Sequence, residues 1–317
     1  MTGGNTKKNQ NIHKDPFLRR LKKDISLNRY AYVLVIPAIV YYILFHYVPL
    51  YGAQIAFRTF NFRSGILGSP WVGLDNFKNF FTSYYFIRLI RNTLMLSIYN
   101  IVFGFPAPII LALLINEVRN TYFKRFTQSI TYLPHFISLV VVCNFILDFT
   151  SRDGVINDII GFFGVTAIPF MNRTEWFRPI YVISDIWQQI GWGSIIYLAA
   201  LSGIDQELYE ACIVDGGGRF RQMFAVTLPG IAPTIIILLI LRMGRIMDVG
   251  LEKVMLLYNP SIYETADIIS TFVYRKGLIE LDYSYSSAVG LFNSVINFIL
   301  LMAVNRLSKK VSETSLF

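Results

Sequence analysis

Six stretches of this chain contain no Asp, Glu, Lys or Arg: residues 30–57, 92–116, 126–147, 186–204, 222–241 and 283–305. A helix that crosses a lipid bilayer needs about 20 mostly apolar residues, because nothing in the hydrocarbon solvates a charge or an open backbone. Six such stretches leave a soluble globular fold little room. Composition agrees. Only 15% of residues are charged, where a soluble domain carries about 25%, and the 15% of aromatic residues suits belts at two membrane interfaces. The expected fold is an all-α integral membrane protein with about six spanning helices. Pro229 and Pro233 read as a helix start, which moves the fifth span to about 231–250 and places Arg242, Arg245 and Asp248 inside it. The fourth span begins near Pro179.

The distribution of positive charge orients these spans. With the N-terminus inside, the inner segments hold 16 Lys and Arg and the outer segments 9, so both termini are expected in the cytoplasm. Eight of the inner charges (Lys7, Lys8, Lys14, Arg19, Arg20, Lys22, Lys23, Arg29) precede the first apolar run. That pattern fits a tail against anionic lipid better than a nucleic-acid groove. Within it, Leu18, Leu21 and Ile25 recur at helical spacing among basic residues, which predicts an interfacial helix over residues 16–29. The first apolar run starts too late, and is too long, for a cleavable signal. Three parts follow: a basic tail over 1–29, a membrane domain over 30–306 and a short tail over 307–317.

Several chemistries are excluded. Cys143 and Cys212 form no CxxC, and His13, His46 and His135 are too scattered for a metal site or a catalytic dyad. No GxxxxGK[ST] occurs, and Gly216–Gly218 is followed by Arg219, Phe220 and Arg221. The chain therefore has no nucleotide site and no cofactor of its own.

One inner loop, residues 202–230, is too long for a simple turn. Good helix formers fill Gln206–Val214, three glycines interrupt them, and Arg219–Leu228 is again helical, with Phe220, Met223, Phe224 and Thr227 on one face and Pro229 at its end. Two short helices about a glycine turn form a knob that can meet a partner. Inside the spans, ionisable residues are costly and are functional candidates. Arg242, Arg245 and Asp248 recur every three residues, so they either line a polar cavity or form an Arg245–Asp248 ladder. Asp185, Gln189 and Trp192 share a helix face, with Gln188 adjacent. They combine carboxylate, amide and aromatic groups, a set that binds sugar hydroxyls and ring faces or else serves helix packing.

The knob carries a resemblance. Glu210-Ala211-Cys212, then Gly216, Val226 and Leu228-Pro229 at fixed spacing, resemble the EAA loop of ABC importer permeases, with Cys212 for the second alanine and Val226 for isoleucine. Pro49-Leu50-Tyr51-Gly52, the run from Gly68 to Phe77, Tyr132-Leu133-Pro134-His135-Phe136-Ile137-Ser138, and the run from Trp192 to Leu201 are similar to the carbohydrate branch of the maltose-permease class, and within it to LplB-like oligosaccharide permeases. The resemblance implies the type I importer fold in a bacterial cytoplasmic membrane. It also implies a second homologous permease, two ABC ATPase subunits that hold the ATP and Mg, and an extracellular solute-binding protein. By the same resemblance Glu210 pairs with a basic residue in a cleft of the ATPase, around a loop that includes Ala211, Asp215, Gly216, Leu228 and Pro229. A desolvated Arg242 or Arg245 would favour an acidic, uronate-containing oligosaccharide. Import of a neutral oligosaccharide is the alternative. An ion-coupled transporter would leave the knob without a role and commonly shows inverted repeats, which the chain lacks. A membrane-embedded enzyme would need a metal or nucleophile constellation that it also lacks.

Overall fold

The computed structural model describes residues 26–311. Among them there is no strand, only two isolated bridges, Arg58 with Trp71 and Asn61 with Gly65. The interfacial helix expected over 16–29 lies for the most part outside the described residues, as does the end of the C-terminal tail.

The chain divides into two compact units, Met1–Gln54 and Ile55–Phe317. The apolar helical run α1, Arg29–Phe57, is long enough to cross a membrane. Its first fourteen residues bury no side chain, and Val33, Leu34 and Phe45 are exposed. Only lipid or another apolar helix accommodates such a surface.

The second unit holds α2 (Phe86–Glu117), α3 (Thr121–Phe136), α4 (Leu139–Phe149), α5 (Val155–Phe162), α6 (Thr174–Ser202), α7 (Gln206–Val214), α8 (Arg219–Met243), α9 (Leu251–Leu257), α10 (Ile269–Tyr274) and α11 (Tyr283–Val311). Helices α1, α2, α8 and α11 can each cross a membrane alone, whereas α3 and α4 do so only as a pair bent by 97°. Helix α6 has 29 residues, enough to cross at about 1.5 Å per residue, but it carries Glu175, Arg178 and Asp185 within its length.

The third stretch, read as one span over 126–147, is thus broken. Pro134 lies in a tight 3₁₀ turn, Leu133–Phe136, and Ile137 leaves it extended. Ser138 then starts α4 by accepting the Val141 N–H at 3.4 Å. Elsewhere proline does not stop a helix. Pro49, Pro106 and Pro229 each follow a wide π turn, at Ile43–Tyr47, Asn100–Gly104 and Met223–Thr227. A proline ring collides with the carbonyl four residues earlier and offers it no N–H. Those carbonyls, on Phe45, Val102 and Ala225, all fall in the widened turns, where the ring has room.

This overturns two readings. The helix after the glycine turn does not end at Pro229 but continues as α8 to Met243. It then stops at Gly244, so Arg242 lies in its last turn while Arg245 and Asp248 lie beyond it. The fifth span is shifted toward the loop by about ten residues because the π turn absorbs the proline.

Helix α6 is central. Its buried residues Phe177, Tyr181, Ser184, Gln188, Gly191, Ser194, Tyr197 and Leu201 recur at steps of three and four, which gives one buried face. Phe177 and Tyr181 join a core with Val254, Leu257 and Ile268. Tyr197 and Leu201 join another with Ile109, Ala112 and Ile231. Between them α6 touches α3 backbone to backbone: a Cβ on Gly191 would lie 2.0 Å from the Thr131 carbonyl oxygen.

Candidate functional site: a loop knob and a polar helix face

At the end of α6 the chain turns into the knob. The Asp205 carboxylate caps α7 by accepting the Glu207 N–H at 3.0 Å. At the other end of α7, the Gly216 N–H donates to the Ile213 carbonyl at 2.9 Å and the Gly217 N–H to the Cys212 carbonyl at 2.8 Å. Gly216 has φ of 77°, a left-handed conformation that strains any residue with a Cβ. Gly217 is needed for a different reason: a Cβ there would sit 2.5 Å from Cys212 Sγ and 2.6 Å from its carbonyl oxygen. The Gln222 amide donates to the Gly217 carbonyl at 3.0 Å, and the Tyr209 hydroxyl meets the Thr227 hydroxyl at 3.1 Å. Together these fix α8 against α7.

The outer surface of the knob is unoccupied. The side chains of Glu210 and Asp215 are exposed and, among the described residues, take part in no hydrogen bond or ion pair. The Asp215 carboxylate therefore does not order the turn; the backbone closes it. Ala211 and Pro229 are exposed too, while Leu228 packs inward beside Ile231. One turn along α7 from Glu210, Ile213 and Val214 are exposed, and elsewhere on the knob so are Leu208, Phe220 and Phe224, with Val214 86% and Phe220 80% accessible. Several large exposed apolar side chains on one short loop, beside an exposed carboxylate, mark a protein-interaction surface.

The second constellation lies along α6. Gln189 Oε1 and His135 Nδ1 are 2.9 Å apart, and the His135 ring lies flat on Trp192, with centroids 4.5 Å apart. Phe136 meets Trp192 edge-on at 5.7 Å. The break between α3 and α4 thus brings His135 onto the Gln189–Trp192 face. Gln188 points the other way, buried and donating to the Ile137 carbonyl at 3.4 Å. Asp185 accepts from Lys253 Nζ at 3.4 Å and from the Asn100 amide at 3.3 Å. Lys253 is only 3% exposed; it also donates to the Tyr181 carbonyl at 3.3 Å and lies 4.9 Å from the Tyr181 ring centre. Arg242, Arg245 and Asp248 are exposed. No Arg245–Asp248 ladder forms, because leaving the helix after Met243 removes the regular three-residue spacing; Asp248 instead accepts from Asn293 at 3.1 Å.

Residues 104–313 match the family described as binding-protein-dependent transport system inner membrane component. The chain belongs to that family. It is a multi-pass permease of the inner membrane, a transport component. The permease is 45% identical over 308 residues, 96% of each chain, to the polygalacturonan/rhamnogalacturonan transport system permease protein YteP of Bacillus subtilis (strain 168). It is 46% identical to protein LplB of the same organism, covering 95% of this chain and 94% of that one. It also superposes with a TM-score of 0.87, at 43% identity, on a chain in the crystal structure of a bacterial ABC transporter involved in the import of the acidic polysaccharide alginate; 92% of this chain and 99% of that one are covered. These likenesses extend over the whole permease, the type I importer architecture included.

Three residues of the permease escaped the reading of its sequence. His135 was set aside as one of three scattered histidines, and only the α3–α4 break, signalled by Pro134, brings it to Trp192. In the sequence Lys253 and Arg178 are two of the nine Lys and Arg of the outer segments, with nothing local to set them apart. Arg178 lies seven residues before Asp185, a helical repeat visible in the sequence once α6 is extended back to Thr174.

Proposed function

We propose that the permease forms half of the channel of an ATP-driven importer of acidic oligosaccharides. Its knob is the seat of a partner ATPase, and its α6 face is part of the sugar path. The observation that carries this reading is the exposed Glu210 beside exposed Ile213 and Val214, on a knob whose turn is locked by Gly216 and Gly217. A rigid knob transmits force, and a carboxylate desolvated by a partner selects a basic group there. ATP and Mg belong to the two ATPase subunits. A second permease supplies the other half of the channel, and an extracellular binding protein delivers the sugar. On the path, Gln189 and Trp192 offer an amide and an aromatic face, joined by His135. Arg242 and Arg245, neither engaged by a carboxylate among the described residues, supply positive charge. Relatives that handle polygalacturonan and alginate support an acidic substrate.

The test is co-purification and uptake. Tagged permease co-expressed with candidate ATPases should retain them, and Glu210→Lys should release them and abolish uptake while the membrane fraction keeps normal permease levels. Normal uptake by Glu210→Lys would sink the coupling role. In the same cells, Arg242→Gln and Arg245→Gln should reduce uptake of a uronate trisaccharide more than that of a neutral one; an equal loss of both favours a neutral substrate and a structural role for the arginines.

A further inference from the structure

At the end of α6 away from the knob, a cavity of about 530 Å³ opens between α2 and α6, lined by Tyr99, Phe103, Thr174, Glu175, Arg178 and Thr265 among others. That volume lies in the range of small-ligand sites. Arg178 is its one basic lining residue. Its Nη2 donates to the Asn92 side-chain oxygen at 2.8 Å, and Tyr99 lies beside the guanidinium. Its Nε is buried and has no partner. Among the described residues Arg178 belongs to no ion pair, unlike the other arginines near it. Arg88 and Arg275 both hold the fully buried Asp267, at 3.2 and 2.8 Å, and Arg91 holds Glu264. Asn92, which fixes Arg178, is itself fixed by donating to the Glu264 and Asp267 carbonyls at 3.0 Å each.

The neighbouring carboxylates are therefore held by other arginines, whereas the Arg178 guanidinium at the cavity is held only by the neutral Asn92 and Tyr99. A half-buried cation with no counter-ion is costly until an anion reaches it. The planar fork suits a carboxylate. Glu175, exposed and one turn from Arg178, lines the same cavity without pairing with it, so the lining offers an acceptor for hydroxyls next to a donor for a carboxylate. A uronate carries both groups. Arg178, Asp185, Gln189 and Trp192 fall at steps of seven, four and three along α6, which puts them on one face with Arg178 about 21 Å from the level of Trp192.

We infer that Arg178 is the carboxylate-reading residue of an outer subsite, through which a uronate unit passes before reaching the Asp185–Gln189–Trp192 face. The inference rests on the acidic-oligosaccharide reading above. The alternative occupants of the cavity are the anionic headgroup of a lipid and a helix of the second permease.

The experiment uses the whole transporter, both permeases with ATPases and binding protein, in phosphatidylcholine vesicles with and without phosphatidylglycerol. Trigalacturonate uptake is measured for the wild type, Arg178→Gln and Arg178→Lys, with the melting temperature of each complex. Glutamine keeps a donor for Asn92 but removes the charge. The expected result is at least about a tenfold loss of uptake at sub-saturating sugar in Arg178→Gln, partial recovery in Arg178→Lys, little change in melting temperature and the same pattern in both lipids. Wild-type uptake by Arg178→Gln overturns the subsite. So does a matched loss in both variants with a lowered melting temperature, which assigns Arg178 to packing or to the permease interface. A defect seen only with phosphatidylglycerol assigns the cavity to lipid and also overturns it. A wild-type transporter that moves neutral but not acidic oligosaccharides instead removes the acidic reading itself, before any variant is compared.

Discussion

Gly217→Ala should damage the knob more than the same change at either neighbouring glycine. The new Cβ would start 2.6 Å from the Cys212 carbonyl oxygen and 2.5 Å from its Sγ, and ordinary contact begins at 3.4 Å. That carbonyl also accepts the Gly217 N–H at 2.8 Å, so the turn cannot open without losing the bond that closes it. Loss of the bond costs about 1 kcal/mol and overpacking about 1–3 kcal/mol, which together give about 2–4 kcal/mol. Gly216→Ala meets no atom within 4 Å but must hold φ of 77°, at a cost of about 1–2 kcal/mol. Gly218→Ala meets nothing and has φ of −72°, so it should stay within about 0.5 kcal/mol of the wild type. The assay is retention of ATPase subunits by tagged permease over a salt series, with uptake in parallel and permease level as the folding control. The expected order of damage is Gly217, Gly216, Gly218. If Gly217→Ala binds ATPase and transports as well as Gly218→Ala, the knob is not the rigid contact described above.

Three further outcomes are expected. Lys253→Met should lower the thermal stability of the solubilised permease by about 3–5 kcal/mol, because it strands Asp185 beside a buried site. The double change with Asp185→Asn should cost clearly less than the sum of the two single changes, and simple additivity in a double-mutant cycle would show that the pair is not coupled. Trp192→Ala should weaken uptake several-fold by removing the aromatic face that carries His135, with the permease still assembled; unchanged uptake would take that face off the sugar path. Reporter fusions after Asn76 and Asn172 should read outside, and one at the C-terminus inside; an external C-terminus would overturn the assigned topology.

The comparison of sequence with structure divides by the range of the forces involved. Charge-free runs announce membrane helices because the cost of a charge in lipid is paid residue by residue, with no need of a neighbour. The same holds for the knob. Helix formers, a glycine break and a returning helix are local, and Gly216 takes the left-handed conformation its place in the turn calls for. The need for glycine at position 217 comes from contact with Cys212, five residues back, and is visible only once α7 has closed.

Where neighbours decide, sequence alone misplaced elements. Pro229 reads as a stop, yet the helix passes through it by widening to a π turn, and this shift removes Arg245 and Asp248 from the helix and abolishes their ladder. The run 126–147 reads as one straight span, but a turn at Pro134 breaks it, and that break alone brings His135 onto Trp192. Pairing of Lys253 with Asp185 and of Arg178 with Asn92 joins residues 68 and 86 positions apart. By itself, the sequence determined that this protein lives in a membrane and that a glycine-broken pair of short helices interrupts its apolar segments. Only the tertiary structure decided which charges are paired with one another and which are not. A charge's partner depends on which helices touch, and helix contact is settled by packing over the whole bundle, which no local pattern records.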